Sequence, residues 1–147
     1  MTEAKRIVID ANVGVLTVLD YPLSGAIAKR WGEWIDDAIE VYVPALWLNE
    51  VTSVIHKEQK LGAISEEEAV SALDTVLELD VECVTETPRL CRAAFKWATL
   101  LNHTAAYDGF YLALAEDLAS PLWTGDRRLV RRAHQIDVPW VRFVGDA

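Results

Sequence analysis

Five short apolar runs, at residues 6–9, 41–43, 81–84, 122–124 and 140–143, alternate along this chain with longer segments of helical period. Such alternation marks an α/β fold with a mostly parallel sheet. Strands covered on both faces read as brief continuous apolar stretches, whereas the covering helices show a single apolar stripe. The expected architecture is a central sheet of about five strands flanked by helices. At 147 residues one core suffices, and no repeat, linker or low-complexity segment breaks the pattern, so residues 1–147 read as one domain.

The helices announce their ends. Residues 25–37 place Ile27, Trp31, Trp34 and Ile35 on one side, and Pro44 is expected to open the next helix, which runs to about Lys60. Gly62 stops it, and Ser65 with Glu68 forms a capping box that starts a helix reaching about Glu78. The run Glu66, Glu67, Glu68 complements that helix dipole and needs no catalytic explanation. Thr87 and Pro88 begin a further helix, Thr104 is expected to cap the one ending at Leu118, and Asp126 the last.

The composition, 52% hydrophobic and 25% charged with 7 glycines and 5 prolines, leaves little room for a disordered tail. A net charge of −9 argues against a protein that coats duplex nucleic acid through general positive charge. It does not exclude a nuclease that concentrates carboxylates at its chemistry and keeps positive charge on the flanks. Cys83 and Cys91 show neither metal-ligand spacing nor a disulfide framework and read as buried, reduced thiols. The apolar run Ile7, Val8, Ile9 before Asp10 is far too short for a signal peptide or membrane span, so a soluble, cytoplasmic protein without a membrane partner is expected.

Four acids fall where fold building does not require them. Asp10 directly follows the first strand and Asp126 the fourth, in TGDRRL, and in open α/β sheets ligands bind beyond the carboxyl ends of strands. Asn12 stands where its amide would brace Asp10, and Thr124 adds a hydroxyl beside Asp126. Asp108 falls near the start of its helix, where the dipole offsets part of the cost of grouping acids. Glu50 has Leu46, Trp47, Ser53 and Val54 three and four positions away, an apolar stripe in which a carboxylate must be paired or bound to metal. Each has an ordinary alternative: helix caps for Asp10 and Asp126, a solvated acid for Asp108, a salt bridge for Glu50. Taken together they suit a shared cation. Mg²⁺ or Mn²⁺ accepts an all-oxygen shell and can produce an attacking hydroxide for hydrolysis at phosphorus.

The strings IDANV, LNEVTSVIHK, TAAYDGFYLALAE and TGDRRL resemble, in order and spacing, the four motifs of PIN domains, over almost the whole chain. The resemblance is closest to single-domain toxins of VapC type from toxin–antitoxin pairs. It implies a PIN-like three-layer fold, with Asp10, Glu50, Asp108 and Asp126 as catalytic and metal-binding acids and Asn12 and Thr124 in support. It further implies a Mg²⁺- or Mn²⁺-dependent endoribonuclease acting on transfer or ribosomal RNA, held in check by a cognate antitoxin and forming a homodimer. Arg128 departs from the pattern, since many relatives carry another acid there, so no fifth acidic ligand is implied.

Arg127, Arg128, Arg131 and Arg132 form two i, i+4 pairs beside Asp126, either to steer RNA phosphates, with Arg127 and Arg128 nearest, or as a solvated face. Trp31, Trp34 and Trp47 read as core, with an interface as the alternative. His56, His103 and His134 carry no catalytic assignment. Two rival functions remain. A PIN-like RNA-binding or scaffold protein would keep the fold without cleaving, which the intact acids disfavour. A phosphatase of haloacid dehalogenase type would begin from Asp10, but Asn12 stands where that chemistry needs a second aspartate.

Overall fold

The computed structural model describes residues 5–145. Its strands are β1 (Arg6–Ile9), β2 (Glu40–Pro44), β3 (Glu82–Val84), β4 (Leu122–Thr124) and β5 (Val141–Phe143). They form one sheet in the order β3-β2-β1-β4-β5, with every neighbouring pair parallel. The helices among the described residues are α1 (Ala11–Leu16), α2 (Ser24–Asp36), α3 (Leu46–Lys60), α4 (Glu66–Leu77), α5 (Pro88–Leu101), α6 (Tyr107–Leu118) and α7 (Arg127–Gln135). None is long and apolar enough to cross a membrane.

The sheet builds outward from β1 through β2 to β3, then resumes on the other side of β1 with β4 and β5. The chain therefore leaves β1 and β4 side by side, with Ile9 paired to Trp123, and then diverges. A crevice opens at the carboxyl ends of strands where the order reverses, which puts the residues after Ile9 and Thr124 at its lips.

Central to the core is α6, packed on β1, β2 and β4, with Tyr111, Leu112, Ala113, Leu114 and Ala115 all buried. It also lies close against α5, because Gly109 has no side chain: a Cβ there would sit 2.2 Å from the Ala94 carbonyl oxygen. On β4, Trp123 turns opposite to Leu122 and Thr124 and meets Trp34 of α2 at 5.8 Å between ring centroids. Trp34 in turn meets Trp31 edge-on at 5.7 Å. These contacts, and the complete burial of Trp47, make the tryptophans core residues. Ile35 lies at the margin of the α2 stripe and is 67% exposed, outside the expected packing face.

Three sequence expectations are corrected. Pro44 ends β2 and does not open α3, which begins at Leu46 behind Ala45. β2 pairs with β1 only as far as Tyr42, so the missing N–H of Pro44 falls beyond that ladder and leaves no gap. Thr104 caps nothing. Asn102 closes α5 in the left-handed region, and α6 starts only at Tyr107, with Ala106 at its N-cap position and no side-chain cap. Cys83 and Cys91 are exposed, one on the three-residue edge strand β3 and one on the outer face of α5. The capping box of Ser65 and Glu68, the cap by Thr87 and the stop at Gly62, whose φ is +81°, are all present.

Replacing Gly109 with alanine forces a Cβ against backbone and should lower stability by about 1–3 kcal/mol. Gly32→Ala, at an exposed helical position with nothing within 4 Å of its Cβ, should raise it by about 0.5–1 kcal/mol. Urea unfolding midpoints of the two variants would check this opposition.

Candidate active site at the strand-order reversal

Asp10 is the first residue beyond β1, and its two carboxylate oxygens do different work. Oδ1 accepts the Val13 amide at 3.1 Å and caps α1, while Oδ2 accepts the Thr124 hydroxyl across the β1–β4 junction. Thr124, fully buried, accepts in turn from the Asp126 amide at 3.0 Å. A relay thus runs from Asp126 N–H through the Thr124 hydroxyl to Asp10. The Asp10 backbone is pinned as well: its carbonyl accepts the Trp47 indole N–H at 3.0 Å. Trp47 packs directly over Gly14, where a Cβ would come within 2.5 Å of the ring. The bracing expected of Asn12 is not what the structure shows. The Asn12 side chain is exposed, and Thr124 and the Val13 amide hold the carboxylate instead.

Asp126 caps α7 through Oδ1, which accepts from the Arg128 and Leu129 amides at 2.9 and 3.3 Å. Asp108 lies in the first turn of α6, with His103 Nδ1 3.4 Å from its Oδ2. Glu50, half-buried on α3, accepts the Tyr111 hydroxyl at 2.7 Å. This tyrosine hydrogen bond replaces the salt bridge offered as the ordinary explanation of Glu50. Among the described residues the salt bridges are Arg89 with Asp117 and His103 with Asp108, so no lysine or arginine neutralises any of the four acids.

Burial first, and neighbouring charges second, raise the pKa of Asp10, Asp108 and Glu50. Burial pushes Asp10 from an ordinary 3.8 to about 7; the Thr124 and Val13 hydrogen bonds oppose the shift, and the charges of Asp108 and Asp126 add to it. Burial also raises Asp108, with His103 opposing and Asp126 adding. Glu50 goes up by burial, with Tyr111 opposing and Asp108 adding. Tyr111 feels Glu50, Asp10 and Asp108 at once and is pushed far above its usual range, first by burial. The four acids lie near enough at one end of the sheet for these charges to be felt between them. They do not close on a point: among the described residues, no three His, Cys, Asp or Glu side chains stand close enough to hold one ion as placed. The donor chemistry nonetheless fits a hard divalent cation. All the donors are carboxylate oxygens, at least one is buried at a cost, and no lysine or arginine among the described residues offsets them.

Two residues escaped the sequence reading. Tyr111 holds Glu50 and was signalled by its spacing, three positions after Asp108 on one helix. His103, left without an assignment although it lies just before the helix of Asp108, pairs with that acid. Arg127, Arg128 and Arg131 are exposed, with Arg127 lying 4.0 Å over the Phe143 ring. Arg132 is withdrawn from this group because its guanidinium donates to the Leu100 and Leu101 carbonyls at the end of α5.

A parallel sheet in this order, with acids collected at its reversal point, defines the class. The chain belongs to the PIN domain family, whose model matches residues 7–135. It is 34% identical over 137 residues to ribonuclease VapC12 of Mycobacterium tuberculosis, covering 92% of this chain and 98% of that one. Among solved structures it resembles PAE2754 from Pyrobaculum aerophilum, with a TM-score of 0.66 at 21% identity over 95% and 90% of the two chains. It also resembles VapBC2 from Rickettsia felis bound to a DNA fragment from their promoter, with a TM-score of 0.67 at 14% identity over 94% and 96%.

The Asp10 shift carries a stability consequence. Its folded pKa, about 7, lies above the ordinary 3.8, so below pH 3.8 Asp10 imposes no penalty; the penalty grows as pH rises and is complete above about pH 7. At roughly 1.4 kcal/mol per pH unit the penalty is on the order of 4 kcal/mol. Asp10→Asn keeps an oxygen for the Val13 amide and removes the charge, so thermal melts in EDTA should show it more stable than the parent at pH 8 and little different at pH 4.

Proposed function

We propose that this protein is a Mg²⁺- or Mn²⁺-dependent endoribonuclease of VapC type, the toxin of a toxin–antitoxin pair. The observation that carries this is the set of four acids at the reversal point with no lysine or arginine in ion-pair reach. The 34% likeness to a protein named ribonuclease VapC12 supports the same activity. Asp10, Glu50, Asp108 and Asp126 would hold the metal. Bound there, the ion would lower the pKa of water and stabilise charge on the phosphate oxygens of an RNA phosphodiester.

The remaining side chains act on the acids or on substrate. Thr124 fixes the rotamer of Asp10, Tyr111 that of Glu50, and His103 that of Asp108, as outer-shell partners orient metal-ligating carboxylates. Asn12, exposed at the mouth, supports substrate or solvent at the site and not the Asp10 carboxylate. Arg127 and Arg128, at the start of α7, meet RNA phosphates. Transfer or ribosomal RNA is the substrate class we favour. A cognate antitoxin is the proposed partner, as in the VapBC2 complex whose fold this chain shares. A homodimer is proposed too, on the exposed Phe95 and Leu100 of α5, and the cytoplasm is the proposed compartment.

Purified protein should cleave RNA with Mn²⁺ or Mg²⁺ and stop in EDTA. Full cleavage in EDTA would overturn the metal mechanism, and no cleavage with either ion would favour an RNA-binding or scaffold role. Asp10→Asn and Asp126→Asn should each lower the cleavage rate at least about a hundredfold. Thr124→Val, which removes only an outer-shell hydroxyl, should lose about 10–100-fold. Circular dichroism would check that each variant remains folded.

A further inference from the structure

Every carbonyl in the last turn of α5 has a partner. The final four carbonyls of a helix find none within it. Here the Asn102 amide donates to Ala98 and Thr99, with Asn102 in the left-handed region at φ 59°, and the His103 amide donates to Ala98 at 2.9 Å. The two that remain, on Leu100 and Leu101, are met from another helix. Arg132 of α7 donates to Leu101 from Nε at 3.2 Å and to Leu100 from Nη2 at 3.3 Å, while its Nη1 donates to Gln135 at 3.4 Å. The guanidinium fork holds both carbonyls at once, and its charge complements the negative end of the α5 dipole. Apart from this grip, α7 packs chiefly on β4 and β5.

The segment just beyond α5 gives the grip its importance. His103 stands two residues after Leu101, its backbone bound back to Ala98, and its Nδ1 lies 3.4 Å from Asp108 Oδ2. Residues 103–106 form neither helix nor strand, and α6 opens without a side-chain cap. The start of Asp108's own helix therefore supplies no local anchor, and His103 is the side chain that meets its carboxylate. Resting on the nuclease reading above, we propose that Arg132 is a positioning residue: by holding the last two carbonyls of α5 it fixes the turn that carries His103 and, through His103, the carboxylate of Asp108. α7 then works as a strut between two of the acids. Asp126 caps its first turn, and Arg132 ties its far side to the segment that orients Asp108.

Two variants separate charge from geometry: Arg132→Lys keeps the charge and loses the fork, and Arg132→Gln loses both. The sequence holds three histidines, so the His103 ring signals can be followed by NMR in the full-length, metal-free protein at one fixed pH. Both variants should move them toward their position in Asp108→Asn, with those of His56 unchanged. In isothermal titration both should bind Mn²⁺ about tenfold more weakly than the parent, the low end of what an outer-shell change costs. His103→Ala should show the same loss, and adding Arg132→Lys to it should cost nothing further, because the two residues act in series. At saturating Mn²⁺, RNA cleavage should fall in kcat, with KM held within about twofold. Urea unfolding midpoints check that each protein is folded, and should Arg132→Gln fail there, Arg132→Lys and the double variant decide the matter. His103 signals that stay in place, unchanged Mn²⁺ affinity in either variant, or additive losses in the double variant overturn the proposal. A rise in KM alone overturns it too and makes Arg132 an RNA contact. If the His103 signals move as expected but the parent neither binds Mn²⁺ nor cleaves RNA, the strut stands and the nuclease reading alone fails.

Discussion

The hydrogen bond from the Thr124 hydroxyl to Asp10 is the contact on which the arrangement of the site rests, because it ties together the two strand ends that the sheet order brings side by side. Asp10 and Thr124 are 114 residues apart in sequence and both are buried. Around this bond the other elements take their places. Trp47 of α3 holds the Asp10 carbonyl, the Asp126 amide donates to Thr124, and α6 crosses β1, β2 and β4 to bring Asp108 and Tyr111 to the same end. The hydroxyl favours the charged form of a carboxylate that burial disfavours, so it fixes geometry and moderates electrostatic cost together.

That cost explains the economy of the surroundings. A buried carboxylate near others is normally neutralised by a guanidinium or ammonium group, and here the contacts come instead from hydroxyls, amides and one histidine. Groups of this kind orient an oxygen without satisfying its charge. The burial cost of Asp10 is therefore left standing in the protein as it is described. Arg127, Arg128 and Arg131 of α7 stand on the lip of the groove between α1 and α7, outside salt-bridge distance of the acids.

Much of the local structure was readable from single residues. The Ser65 and Glu68 capping box, the Thr87–Pro88 start and the Gly62 stop are governed by interactions within a few positions, and all formed as expected. Asp10 and Asp126 were weighed as caps or as site acids, and the caps are present: one oxygen of each caps a helix, and the second of Asp10 faces Thr124. Readings failed where a distant neighbour decided. Pro44 looked like a helix opener, but where β2 stops pairing with β1 made it a strand end. Asn12 was the nearest polar residue in sequence, but Thr124 was nearer in space.

The sequence alone determined the five strands, all the helices but α1 and most of their ends, and the unusual placement of the four acids, since periodicity, capping and the oddity of a charge among apolar neighbours are all local properties. Only the tertiary structure decided the strand order, the identity of the groups holding each carboxylate, the pairing of Glu50 with Tyr111 and of Asp108 with His103, and the existence of the groove. Those depend on which remote segments share a boundary, and chain connectivity leaves that open until burial of the whole apolar surface selects one packing.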